Sequence, residues 1–198
     1  MAKGVIETWD TLDDFTLRDV AFDGLTRKVY VAGSGPGVII IHEIPGITPE
    51  VARFARWVRD AGFTVYLPSL FGKPGKPNSK GYTNVSIFRV LCIAREFKIL
   101  DSANEHSPVV DWLKQLAAQA HTECGGKGVG ALGMCLTGNF ALSMMVEPAV
   151  RAPVLCQPSA PVNNPAGMHA SPEDIAIVRQ RLEREDLTLR GYRFAGDK

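Results

Sequence analysis

The stretch that most constrains this chain is "VGALGMCLTGNFALSMM", Val129 to Met145. A run of small and β-branched residues enters a Gly-x-Cys-x-x-Gly hexapeptide, and an apolar helical pattern leaves it. Such a strand-to-helix turn is strained, and small residues must flank it because its backbone packs against a neighbouring strand and helix. The turn lifts its tip residue, Cys135, clear of the sheet and aims the N-terminus of the next helix at it. A helix N-terminus lowers a thiol's pKa and offers backbone N–H groups to an anion. Geometry alone therefore makes a cysteine at this point reactive.

The rest of the chain supplies the sheet around that turn. "GVIIIHE" from Gly37 is a continuous β-branched run, as expected of a parallel strand buried on both faces. "VAFDGLTRKVYVAG" predicts two strands around an Asp23-Gly24 turn. "TPEVARFARWVRDAG" predicts a helix: Thr48 caps it, Pro49 opens it, Val51, Phe54, Trp57 and Val58 share helical spacing, and Gly62 ends it. "FTVYLPSL" is the next strand. The basic, Gly/Pro-rich loop "FGKPGKPNSKGYTN" is either functional or a flexible surface excursion. Helices are expected around Val85 to Lys98 and Ser107 to Gln119, then a strand at "GKGVGALGM" and a helix to about Met145. "APVLCQP" is a strand, "SPEDIAIVRQRLERE" an amphipathic helix opened by Ser171-Pro172, and "LTLRGYRFAG" a last strand. This alternation predicts a single α/β domain over residues 1–198, with a mostly parallel central sheet and helices on both faces. Ligands of such sheets bind beyond the carboxyl ends of the strands. "HEIPG", "GMCLTG" and "AGDK" all lie at such ends.

Composition narrows the function further. With 45% hydrophobic residues in 198, the chain can bury a sizeable core. Lys+Arg of 22 against Asp+Glu of 21 gives a net charge of +1, which argues against an electrostatic search for nucleic acid or anionic membrane. "RQRLERED", Arg179 to Asp186, reads as a solvated helix face. No apolar run approaches the ~20 residues of a membrane span. The N-terminus lacks the apolar core of a signal peptide, so cytoplasmic residence is expected. Cys92, Cys124, Cys135 and Cys156 are far apart and form no CxxC pair. Zinc, a redox dithiol and a disulfide framework are therefore not expected, and no metal or cofactor is called for.

"VIIIHEIPGITPEVARFARWVRDAGFTVYLPSLFG", "VGALGMCLTGNFAL" and "GYRFAGDK" together resemble the dienelactone hydrolase family of α/β-hydrolases. The resemblance implies the α/β-hydrolase fold and hydrolysis of an ester or lactone, with a small enol-lactone such as a dienelactone as substrate. It implies Cys135 as nucleophile in an elbow, and Glu43, in the strand-end "E-I-x-G" motif, as the partner that switches the thiol to thiolate. The backbone N–H groups of Ile44 and Leu136 would form the oxyanion hole, and Asp197 would be the triad acid. The chain departs from the elbow pattern at Thr137, which stands where the second glycine belongs, with Gly138 one step late. A β-branched residue there predicts a tighter turn.

The expected histidine is missing. In this fold the order is nucleophile, acid, histidine, yet only Lys198 follows Asp197. His42 adjoins Glu43 but should point to the other side of its strand. His106 and His121 flank a helix as surface or capping residues, and His169 lies in a loop with the wrong chain order. The expectation is a fold truncated at its C-terminus, in a piece of a longer chain that carries the histidine and a covering helix. The missing base keeps a second class open, a non-catalytic α/β-hydrolase-like protein that binds a small molecule or partner. Redox sensing by Cys135 is a third reading. Lys73, Lys76, Arg89 and Arg95 are the candidates to hold a substrate carboxylate. The sequence does not fix the oligomeric state.

Overall fold

Asp23 and Gly24, with φ of 49° and 78°, close a two-residue turn that pairs Phe22 with Leu25. Two successive left-handed residues match the twist of a hairpin, so the expected first two strands form as read. The computed structural model describes residues 6–92, 107–159 and 170–196. In these the strands are β1 (Thr16–Phe22), β2 (Leu25–Ala32), β3 (Gly37–Ile41), β4 (Thr64–Pro68), β5 (Val129–Met134), β6 (Val150–Cys156) and β7 (Arg190–Tyr192). They form one sheet in the order β1-β2-β4-β3-β5-β6-β7. β1 and β2 are antiparallel to their neighbours, and the sheet is parallel from β4 to β7.

The helices are α1 (Pro49–Asp60), α2 (Lys80–Cys92), α3 (Pro108–Cys124), α4 (Gly138–Ser143) and α5 (Pro172–Arg184). Thr48 caps α1 by accepting from the Val51 N–H at 3.4 Å, and Ser171 caps α5 by accepting from the Asp174 N–H at 3.0 Å. One sheet face packs Ile40, Val65 and Leu67 against Val51, Ala52 and Ala55 of α1. The other packs Ile39, Ile41 and Ala131 against Leu113 and Leu116 of α3 and Phe140 of α4. Trp57, grouped by spacing with the apolar face of α1, lies outside it at 53% exposure beneath the Arg53 guanidinium. Alanines make the close approach instead, and a pattern that counts only large side chains overlooks them.

Several boundaries differ from the sequence reading. α2 starts at Lys80 rather than Val85, because the Ser79 hydroxyl accepts from the Tyr82 N–H at 3.2 Å and starts the helix early. Its expected continuation to Lys98 lies outside the described residues. α3 continues past Gln119 to Cys124 and stops where Gly125 takes φ 66°. β7 spans only three residues. The basic loop after β4 is tied down on two sides. The Gly75 N–H donates to the Ile47 carbonyl at 2.6 Å, and the Asp10 N–H donates to the Gly75 carbonyl at 2.9 Å.

The charged run at the end of α5 hides one inward arginine. Arg181 is 8% exposed and donates to the carbonyls of Met145, Glu147, Pro148 and Val150. Glu185 balances its charge at 2.7 Å and 2.9 Å. Arg181 answers the carbonyls left open where the helix after β5 ends and β6 begins. Replacing it should uncover several acceptors at once, so Arg181→Met is expected to lower the unfolding free energy by about 3 kcal/mol. Urea denaturation checks this, and a loss under about 1 kcal/mol would contradict the inward role.

Candidate active site

The parallel register assembles the site. The β3–β5 ladder ends with Ile41 opposite Gly133, and the β5–β6 ladder ends with Met134 opposite Cys156. Carried past those pairs, the register sets Glu43, Cys135 and Gln157 at one level on three adjacent strand ends. All three are half-buried. The Gln157 amide donates to a Glu43 carboxylate oxygen at 3.5 Å.

Cys135 itself sits at φ 52°, a left-handed backbone unusual for a residue with a side chain. The chain turns there from β5 through a single 3-10 turn, Cys135–Thr137, into α4. Both glycines of the hexapeptide are required by close approach. A Cβ on Gly133 would lie 2.1 Å from the Thr137 carbonyl oxygen, and one on Gly138 would lie 2.7 Å from the Pro158 Cα. Thr137 does not merely crowd the turn, as its β-branch suggested. Its side chain is wholly buried, and its hydroxyl accepts from the Met134 N–H at 3.1 Å.

The electrostatics overturn the expectation of a lowered thiol and favour an uncharged one at rest, because burial outweighs the helix N-terminus. Burial pushes the Cys135 thiol up, the Leu136 N–H bonded to the sulfur pulls it down, and Glu43 pushes it up again. Glu43 is raised as well, first by burial, against the Gln157 hydrogen bond that lowers it, with the Glu50 charge adding to the rise. A carboxylate in the same half-buried site thus opposes ionisation of the thiol. Cys156, raised by burial and by Glu43, is a third member of the group.

Ile44 follows Glu43 in a turn closed by the Gly46 N–H donating to the Glu43 carbonyl at 2.9 Å. His42 is fully buried behind it. Its Nε2 accepts from the Leu70 N–H at 3.0 Å, so Nδ1 carries the proton and donates to the Glu43 carbonyl, also at 3.0 Å. Both ring nitrogens are therefore committed to backbone, away from the thiol. His121 lies in the last turn of α3, ahead of the amino end of β5, 3.2 Å from the Gly126 carbonyl. Lys76 lies over the Tyr82 ring at 4.3 Å, while exposed Lys73 is fixed through its backbone by the Tyr82 hydroxyl. Asp197, Arg95, His106 and His169, and the side chain of Arg89, lie outside the described residues.

The sequence reading missed Gln157 and Cys156. The one available signal was their place at the end of a strand beside the turn. A groove of about 320 Å³ runs along the sheet face past Val38, Phe63, Leu132 and Val154. Its lining holds no thiol, hydroxyl, imidazole or carboxylate, so the chemistry does not lie there. Among the described residues no group of three His, Cys, Asp or Glu side chains could hold a metal ion, and no helix is long and apolar enough to cross a membrane.

The chain is similar to known proteins. The model of the dienelactone hydrolase family matches residues 23–177. A carboxymethylenebutenolidase of Pseudomonas sp. (strain P51) is 28% identical over 129 residues, covering 63% of this chain and 50% of that protein. Carboxymethylenebutenolidase 1 of Cupriavidus pinatubonensis (strain JMP 134 / LMG 1197) is 30% identical over 113 residues, covering 56% and 45%. The chain thus spans about half the length of the curated relatives it matches. A crystal structure from Klebsiella pneumoniae subsp. pneumoniae MGH 78578, provisionally named a dienelactone hydrolase, superposes with a TM-score of 0.58 at 15% identity. It covers 92% of this chain and 86% of that one, and it shares the fold.

Burial holds His42 at about 4, against 6.5 for a free imidazole. The folded state then binds fewer protons than the unfolded one between those values. His42's contribution to stability is complete above pH 6.5 and is lost as the pH falls toward 4. In an NMR titration from pH 8 to 5 the His42 ring signals should stay nearly unmoved. A midpoint near 6.5 would contradict the buried, neutral ring.

Proposed function

We propose that this chain, which belongs to the dienelactone hydrolase family, hydrolyses an ester or lactone through the Cys135 thiol. The observation that carries this reading is the left-handed Cys135 at the end of β5, level with Glu43 at the end of β3. A strained strand-to-helix turn with a close-packed glycine on each side is what a nucleophile elbow requires. The relatives named carboxymethylenebutenolidase support an enol-lactone, such as a dienelactone, as the substrate class.

In this mechanism the neutral thiol gives its proton to the Glu43 carboxylate as the sulfur bonds to the substrate carbonyl carbon. The carbonyl electron pair moves onto oxygen, where the N–H groups of Leu136 and Ile44 receive it as an oxyanion. When the carbonyl reforms, the C–O bond breaks. The ring oxygen of an enol-lactone departs as an enolate, takes the proton held by Glu43 so that the carboxylate is restored, and stays tethered to the acyl group as its enol. Water then attacks the thioester, the C–S bond breaks, and a carboxylic acid leaves with the thiol restored. Asp197 is proposed as the acid that orients a histidine base, following the family resemblance. Burial and Glu43 hold the resting thiol toward its uncharged form, so it waits for substrate instead of reacting with any electrophile.

The test is steady-state hydrolysis of p-nitrophenyl acetate and of an enol-lactone. Cys135→Ala is expected to lower kcat/KM by at least about 10³-fold. Iodoacetamide should modify Cys135 slowly at pH 7 and faster as the pH rises past the ordinary thiol value, because the thiol is pushed up. Hydrolysis that survives Cys135→Ala would refute the nucleophile. No turnover of either ester would favour the binding-protein reading, which the protonated resting thiol also suits.

A further inference from the structure

Thr137 is the position at which the turn departs from the simple glycine pattern, and its hydroxyl is unusually well placed. The backbone ladder between β3 and β5 ends at Ile41 and Gly133. One step beyond, the Thr137 Oγ1 stands 3.0 Å from the Ile41 carbonyl, 3.2 Å from the His42 carbonyl and 3.0 Å from the Met134 carbonyl. A hydroxyl has one hydrogen to give and two lone pairs to receive. Here it receives the Met134 N–H at 3.1 Å and gives its hydrogen among these carbonyls. Two of them belong to the end of β3 and one to the end of β5. The next residues along the two strands are Glu43 and Cys135.

We propose that Thr137 is a positioning residue: its buried hydroxyl bridges the ends of β3 and β5 beyond their ladder and fixes the spacing between Glu43 and Cys135. The inference rests on the roles proposed above for those two side chains. A glycine would permit the turn equally well and would leave the two strand ends joined only by the ladder behind them. Threonine accepts a tighter fit in return for a tie at the level of the chemistry. Valine preserves its shape without the hydroxyl, and serine preserves its bond.

The test is a double-mutant cycle that needs no turnover. Iodoacetamide modification of Cys135 is followed against pH, with peptide mapping to separate Cys135 from Cys156 and Cys124. Glu43 is the charge to be varied. Cys156 stays in place, and His42 is held by backbone in every variant. Glu43→Gln should lower the Cys135 midpoint in the otherwise unchanged chain. In the Thr137→Val background the same change should shift it by less than half as much, and Thr137→Ser should restore the full shift. With ester substrates, Thr137→Val should lower kcat by about 10- to 100-fold with KM little changed. Equal shifts with and without the hydroxyl would overturn the proposal, as would the absence of a shift in both. Should Thr137→Val and Thr137→Ala both fail to fold while Thr137→Ser folds, the hydroxyl serves folding and the positioning role is wrong. Absence of ester turnover in the unchanged chain would count against the hydrolase reading alone, because alkylation still reads the spacing.

Discussion

The parallel pairing of β3 with β5 is the interaction on which the rest of this structure depends. It runs from Val38 opposite Gly130 to Ile41 opposite Gly133. A shift of one residue would turn every side chain to the other face and part Glu43 from Cys135. That register is fixed by burial on both sides. Ile39 and Ile41 enter one core and Ile40 the other, and all three are wholly buried. The apolar packing of the sheet and the polar chemistry at its edge are thus one constraint seen at two points along the same strands.

Fold and site differed in how far they could be read from the chain. "GVIIIHE" announces a strand buried on both faces because four consecutive β-branched residues suit little else. The Asp23-Gly24 turn and the caps Thr48 and Ser171 are equally local, and they occur where the sequence places them. Glu43 and Cys135 were singled out through motif resemblance, and their common level follows from the strand register. What sequence could not give was the inward turn of a single residue in a polar run. Arg181 looks like its neighbours in "RQRLERED" until the carbonyls of the preceding turn are in place to receive it. Thr137 looked like a steric concession for the same reason, since two of its three acceptors lie almost a hundred residues earlier in the chain. Gln157 depends on β6 pairing with β5, a long-range fact that no window of sequence contains.

The resting site is arranged to be quiet. Burial opposes charge on the thiol and on the carboxylate alike, and Glu43 raises the thiol further. The Leu136 N–H favours the thiolate, and the Gln157 amide favours the Glu43 carboxylate. In the proposed mechanism a substrate that draws the proton to Glu43 tips this balance in one step. The buried His42 takes no part in it, since both of its nitrogens are bound to backbone. Its place is structural: it ties the Glu43 peptide to the Leu70 N–H at the end of the neighbouring β4.

The central claim is that Cys135 forms a covalent acyl intermediate. Peptide-mapping mass spectrometry after brief exposure to p-nitrophenyl acetate, quenched in acid, tests it most directly. The account predicts an acetyl group on the peptide containing Cys135, absent in Cys135→Ala. Acetyl groups confined to other residues, or ester turnover with no acylation of that peptide at any quench time, would contradict it.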